Sequence, residues 1–448
     1  MRKIVIGMIF LIIFLDVSVA GYIYYKKYYI ASIPQNIKVS LNDSTITVLF
    51  DIKDKSYRNK IYYLLTNKKK KPSIYDDKWA LINNNTVSYD LDKNIYYIYL
   101  KNEDDKIFEV DNTDKLGRIT NFITSKNKIY LPINDSFSPT LVYEGVGYID
   151  DSIKWKSSNE KAVKVSDNGI ITSVGNGNAK ITATIMNKSV DIDVTSTNLI
   201  VKKPKRYNYN KPYLKCDLFS KNDNDLLDEI LKYRISEAGY KTRAGVVEAA
   251  RFLSLEFPYR INYFSENGRV YMNGIDAEGR YYHKGLYLHE SRFQNLGKKR
   301  NGPATWGCMM YSGPAHGQRR NGLDCSGFVS WALYNGGFDV KDVGAGLASG
   351  LDLTDYGKRT VFTKDLVDNK KVKVGDLLSS GGVEGGHIAI IIGEDEVNYY
   401  VAESLWTKPN VGVVVTVYPR NKIFKEYYYV ILMDDYYKND GNLSNLWY

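Results

Sequence analysis

The chain is poor in the residues that build disulfide and metal frameworks. Its 448 residues include only three cysteines and four histidines. Cys216, Cys308 and Cys325 are too few to staple a chain of this length, so its stability must come from hydrophobic cores. An odd number also leaves at least one thiol unpaired unless a partner chain takes it. A Cys216–Cys308 bridge stays open, although nothing in the spacing argues for it. There is no C-x-x-C, and "HESRF" from His289 is only the first half of an H-E-x-x-H, with Phe293 where the second imidazole belongs. A zinc hydrolase therefore lacks its ligand set, and no metal or cofactor is called for. A net charge of +10 comes with no helix-turn-helix, zinc-finger or aromatic RNA-binding signature, which argues against nucleic acid as a partner. The charge suits an anionic wall polymer or a membrane surface, or it is simply a lysine-rich solvated face.

Long apolar runs are also scarce, and the chief one opens the chain. "MRKIVIGMIFLIIFLDVSVAGYIYYKK" places Arg2 and Lys3 before an apolar stretch from Ile4 to Leu15, followed by Ser18-Val19-Ala20. That order is a secretory signal with a Ser-x-Ala cleavage site. If uncleaved, the run continues through Ile23 to Tyr25 as a membrane anchor. Both readings, over residues 1–30, export the remainder to the cell surface or beyond it.

What is abundant points to folded, strand-rich modules. The length suggests about three domains. A hydrophobic content of 44% with 25% charged residues excludes pervasive disorder. Tyrosine outnumbers phenylalanine by 39 to 15, as expected of half-buried strand faces that accept an amphipathic ring. Over residues 31–114, "STITVLFDI" alternates Ile46, Val48, Phe50 and Ile52 on one face, and "NIYYIYL" sets Ile95, Tyr97 and Tyr99 in the same way. This reads as a β-sandwich of immunoglobulin or fibronectin character. Over residues 115–198, "IKWKSSNEKAVKVSDNGIITSVGNGNAKITATI" carries strands at Trp155 and from Ala162 to Val165, with turns at Asn168-Gly169 and Gly175-Asn176-Gly177. The stretch resembles the group-two bacterial immunoglobulin-like domains, which implies a spacer or adhesive unit.

Residues 199–222, "IVKKPKRYNYNKPYLKC" among them, read as a basic extended linker. After it the period changes. "DLLDEILKYRISEAG" puts Leu226, Leu227, Ile230, Leu231 and Ile235 on one helical stripe that stops at Gly239, and "TRAGVVEAARFLSLEF" repeats the pattern with Thr242 as N-cap. Strand patterns return at "VGDLL", "HIAIIIG", "NYYVAES", "VGVVVTVY" and "YYYVILM". Helices followed by strands over residues 223–448 predict an α+β domain.

Within it, "NGLDCSGFVSWALYNGG" sets Cys325 on the first turn of an apolar helix that Gly336-Gly337 close. Unpaired N–H groups and the helix dipole favour an anion at that position, with Asp324 as N-cap and Gly327 allowing close backbone approach. A buried structural cysteine is the rival reading. A nucleophile needs a base, and of His283, His289, His316 and His387 only His387 opens an apolar strand, after a glycine-rich loop. Glu403, on the next strand, is placed to orient an imidazole, or is a plain surface carboxylate.

"GLDCSGFVSWALYNGG", "KVGDLL", "GGHIAIIIG" and "YYVAES" occur in the order found in the NlpC/P60 family of bacterial cell-wall cysteine peptidases, which residues 301–433 resemble. The resemblance implies a papain-like α+β fold that hydrolyses amide bonds in peptidoglycan stem peptides. It implies Cys325 as nucleophile, His387 as base and Glu403 as the third residue. Asp324, Ser326 and Trp306 would contact substrate. Three departures stand out: Glu403 where His, Asn or Gln is usual, Ala304 and Cys308 within "GPATWGCMM" where the family has tyrosine and glycine, and Val374 for proline. Two other readings are a CHAP-type amidase, whose usual asparagine two residues after the glutamate is Leu405 here, and a catalytically silent wall-binding protein.

Overall fold

A computed structural model describes residues 2–42, 45–53, 56–91, 96–111, 113–202, 220–263, 309–313, 317–320, 322–340, 345, 353–381, 386–407 and 411–443. Trp306, Cys216, Cys308, His283, His289 and His316 lie outside them, as does the "HESRF" segment. The chain divides into two compact units. The first comprises Met1–Ile129, Ser136–Thr172 and Asn178–Val194; the second comprises Tyr130–Asp135, Ser173–Gly177 and Thr195–Tyr448.

The first unit opens with helix α1 (Arg2–Tyr29), which runs unbroken through Ser18-Val19-Ala20. Its last carbonyls are tied to the loop that follows the second strand: Tyr57 N donates to Lys27 O at 3.0 Å, and Arg58 Nη1 donates to Tyr29 O at 2.8 Å. Among the described residues no helix is long and apolar enough to cross a membrane.

Strands then dominate. A three-stranded antiparallel sheet joins Ile33–Asn42, Thr45–Lys53 and Thr86–Asp90, and a four-stranded sheet joins Ala80–Leu81, Ile61–Thr66, Tyr97–Asn102 and Ile107–Val110. The alternation read at Ile46, Val48 and Phe50 is the buried face of its strand. The second alternation is offset by one. Ile98 and Leu100, rather than Tyr97 and Tyr99, join Ile46 and Val48 in the shared core, and Ile95 lies outside the described residues. A tyrosine on either face fits the same pattern, so residue types alone did not reveal which face is inward.

In the immunoglobulin-like stretch, Lys154–Ser157 pairs antiparallel with Gly177–Ile185, and Gly117–Thr124 with Leu141–Gly147. Gly169 has φ +76°, and a Cβ there would lie 2.5 Å from the Trp155 ring, so the turn needs glycine for both backbone and packing reasons.

The second unit carries the helices. Leu199 and Ile200, expected in the linker, are buried in its core, and Val201 N donates to Glu256 O at 3.0 Å. Helix α2 (Lys221–Ala238) starts on a Ser220/Asp223 capping box and stops at Gly239, whose φ is 112°. Helix α3 (Arg243–Arg251) is capped by Thr242, as read from the sequence, and continues as a π turn over Phe252–Glu256. Helix α4 (Cys325–Asn335) is capped by Asp324. Three short helices follow: α5 (Lys364–Asp368), α6 (Ile423–Glu426) and α7 (Asp434–Tyr437).

Six strands make one antiparallel sheet: β1 (Lys358–Val361), β2 (Leu377–Ser379), β3 (Ile388–Glu394), β4 (Asn398–Leu405), β5 (Gly412–Pro419) and β6 (Tyr429–Leu432). Their spatial order is β1-β6-β2-β3-β4-β5. Helices α3 and α4 pack on β3, and α4 also on β4. Strand β3 therefore reads as a continuous apolar run, with every residue from Ile388 to Ile392 fully buried. Strand β1 escapes the sequence pattern because its Lys358-Arg359-Thr360-Val361 is largely exposed at the sheet edge, where charge is tolerated and guards against edge pairing.

Arg243 stitches this unit together from within. Its side chain, 3% exposed, donates to Asp376 Oδ1 at 2.9 Å, Val374 O at 3.1 Å and Asp440 Oδ1 at 3.0 Å, and it also pairs with Asp434. Removing the guanidinium would leave the Asp376 carboxylate buried without a countercharge. Arg243→Met should therefore lower the stability of the second unit by about 3–5 kcal/mol in urea denaturation. A loss below about 1 kcal/mol would show that this hub is dispensable.

Candidate active site

The candidate nucleophile stands on a rigid support. In α4, Phe328, Val329, Ser330, Trp331, Ala332 and Leu333 are all fully buried, so the helix is apolar on every side and belongs to the core. Its start is tied down on two sides. Ser404 Oγ of β4 donates to Leu323 O at 2.7 Å, and Leu323 N donates to Asn262 O at 3.0 Å. Cys325 follows as the first residue of the helix; it is a free thiol, 8% exposed, with Sγ 3.8 Å from Gly386 O.

Asp324 is the N-cap read from the sequence: its Oδ1 accepts from Gly327 N at 2.8 Å and from Ser326 Oγ at 3.2 Å. Both Asp324 and Ser326 are buried. Two of the three residues assigned to substrate contact are thus bonded to each other in the helix cap, beside the thiol.

His387 and Glu403 are brought together by strand register. Ile390 of β3 pairs with Ala402 of β4. Glu403 lies one residue from that pair and His387 three, so both side chains project on the opposite face from Ile390 and Ala402. There His387 Nε2–H donates to Glu403 Oε2 at 2.7 Å. The Cys325 thiol also acts on the imidazole and raises its pKa, so sulfur and carboxylate both bear on the ring. Cys325, His387 and Glu403, named from the sequence, form one connected set.

Burial by itself pushes the His387 pKa down. Its interactions with Cys325 and Glu403, with their charges, outweigh it and raise the value from the ordinary 6.5 to about 9. Glu403 is fully buried, and burial pushes its carboxyl up. The His387 hydrogen bond and charge, with hydrogen bonds from Thr416 and Tyr427, bring it below the usual carboxylate range. The two directions agree: the arrangement favours imidazolium beside carboxylate.

Several contributors went unread in the sequence. Tyr427 hydroxyl donates to Glu403 Oε2 at 2.8 Å, and Tyr418 hydroxyl to Oε1 at 3.3 Å. Glu403 pairs with Val414, so Thr416 and Tyr418 share its face along β5. Alternation within "VVVTVY" could have grouped those residues, but placing them against Glu403 requires the register. Tyr427 is one of three consecutive tyrosines, and only its burial separates it from exposed Tyr428. Tyr263 lies where the charges of Cys325 and Asp324 reach it. Burial first, then those charges, hold its hydroxyl protonated, and its ring meets that of exposed Trp406 at 5.3 Å. Among the described residues no cluster of histidine, cysteine, aspartate or glutamate could hold a metal ion.

In comparisons with known proteins, the model of the NlpC/P60 family matches residues 310–423. No curated protein matches the chain. Solved structures that resemble part of it include a bacterial Ig-like domain-containing GH10 xylanase from termite gut, at 22% identity over 19% of this chain and 22% of that one, with a TM-score of 0.14. Domains 4 and 5 of the S-layer protein SbsC match at 13% identity over 23% of this chain and 64% of that fragment, with a TM-score of 0.16. Three N-terminal domains of the bacteriophage RB49 outer capsid protein Hoc match at 13% identity over 38% and 62%, with a TM-score of 0.18. The chain thus spans about a fifth of the xylanase and under two thirds of the other two. None of these three likenesses is close enough to bear on function.

The raised His387 value has a definite consequence for stability. Between pH 6.5 and about 9 the folded protein holds a proton that the unfolded chain has released, so the stabilisation present below pH 6.5 is lost as the pH rises through about 9. Glu403→Gln, which removes the anion, should bring the His387 ring titration seen by NMR from about 9 toward 6.5 and flatten the fall in stability across that window. An unchanged titration would mean that Glu403 does not set the imidazole charge.

Proposed function

With an NlpC/P60 domain at residues 310–423 as the premise, we propose that the protein is an exported cysteine peptidase that hydrolyses amide bonds in peptidoglycan stem peptides. Members of that family are cysteine peptidases acting on peptidoglycan. The observation that carries the reading is the grouping of Cys325, His387 and Glu403, with the thiol at a helix start and the imidazole bonded to the carboxylate and acted on by the sulfur.

In this reading the Cys325 sulfur attacks the amide carbonyl. First-turn N–H groups of α4, that of Cys325 among them, lie outside the helix ladder and receive the developing oxyanion. His387 gives its proton to the leaving amine, then takes one from the water that releases the thioester. Glu403 touches no substrate; it fixes the imidazole by its Nε2 and leaves the other ring nitrogen for the thiol. Asp324 and Ser326 contact the stem peptide at the edge of the nucleophile's turn, and Trp306 contributes from the segment before it.

In the same reading, residues 31–114 and 115–198 are two immunoglobulin-like β-sandwich modules that serve as spacers. The basic and apolar start, residues 1–30, directs export, leaving the remainder at the cell surface or secreted.

Incubated with purified peptidoglycan, the full chain should release shortened muropeptides, and Cys325→Ala should release none above background. Equal release by both proteins would end the peptidase reading. Release by neither would favour a wall-binding protein.

A further inference from the structure

Glu403 is an expensive residue to keep charged. It has no access to water, and a buried carboxylate is protonated unless several donors replace the water it lost. A protonated Glu403 could not hold an imidazolium. The groups facing it come from each surrounding element. His387 approaches from the start of β3, Thr416 and Tyr418 from β5, and Tyr427 from the segment between α6 and β6. Cys325 of α4 acts on it through His387, and the charge of Glu426 bears on Tyr418.

The two tyrosines form one unit. Their rings meet edge to face at 5.5 Å, and the Tyr427 ring also stacks on the His387 imidazole at 6.1 Å and 27°. Tyr427 places its hydroxyl on Oε2, the same oxygen that receives His387 Nε2–H, while Tyr418 takes Oε1. The carboxylate is thereby held by both oxygens.

We propose that Tyr427 and Tyr418 are positioning residues, whose hydroxyls keep Glu403 ionised and aimed at His387 Nε2 so that the imidazole's remaining nitrogen stays turned toward Cys325. They replace, at this unusual glutamate, the solvent that a carboxylate otherwise needs. Both hydroxyls stay protonated, as burial first and the Glu403 charge next raise them far above neutrality, so they donate throughout the working range. The inference rests on Cys325, His387 and Glu403 being the reacting set.

The test uses the full chain and a probe that needs no peptidoglycan: the pH dependence of Cys325 alkylation by iodoacetamide, read by mass spectrometry of the Cys325 peptide. Four proteins are compared: wild type, Tyr427→Phe, Glu403→Gln and the double variant. Tyr427→Phe keeps the ring on His387 and removes one hydrogen bond to a charged group. It should slow alkylation near pH 6 about tenfold and move the acid limb up by about one pH unit. In the Glu403→Gln background the same substitution should change the rate less than about twofold, because there is no carboxylate left to hold. Tyr418→Phe, through its longer bond, should give a smaller shift of the same sign and serves if Tyr427→Phe does not fold. An equal drop in both backgrounds would reduce the tyrosines to packing, and no drop in either would remove them from the site; both outcomes overturn the proposal. Coupling seen in a protein that cuts no peptidoglycan would sustain this inference while the peptidase reading fell.

Discussion

A carboxylate sealed from water must be countered, hydrogen-bonded or protonated, and the candidate site is organised around how Glu403 meets that demand. Its oxygens receive His387 Nε2, Tyr427 and Tyr418, so desolvation is offset by donors drawn from three separate segments of the chain. The imidazole is raised to about 9 and the carboxyl lowered, two sides of one interaction. The removal of any donor would leave a buried charge short of partners, so the network is either satisfied as a whole or costly as a whole.

The rest of the second unit serves to hold that network against the thiol. Helix α4 is surrounded by core and cannot tilt without opening cavities beside Trp331 and Phe328. The Ser404–Leu323 hydrogen bond ties its start to the strand that carries Glu403. His387 stands at the start of β3, which packs against α4 and pairs with β4. Positioning of this kind is where a modest set of side chains gains most of its chemical leverage.

The unusual glutamate fits this setting. A neutral third residue would orient the imidazole without charging it. A carboxylate does both, but only where hydroxyl donors spread its charge. The tyrosine-rich composition, read at first as a property of half-buried strands, supplies those donors at Tyr418 and Tyr427. The same rings that cover the apolar body of the sheet carry polar tips into it.

Residue order alone was enough for the helix period of 223–238, its stop at Gly239, the caps at Thr242 and Asp324, and the thiol at the start of an apolar helix. Each of these is a local matter, decided by spacing and by which side chains can satisfy the backbone nearby. His387 and Glu403 were also legible, since each opens or interrupts an apolar strand. Beyond reach were the inward face at Ile98 and Leu100, the burial of Leu199 and Ile200, the exposed edge strand at Lys358–Val361, and the tyrosines on Glu403. Those depend on which strands lie side by side and in what register. Antiparallel pairing brings together residues far apart in the chain, and a shift of one position would turn every side chain to the other face. The chemistry of the site was therefore written locally, while its geometry exists only once the sheet has closed around it.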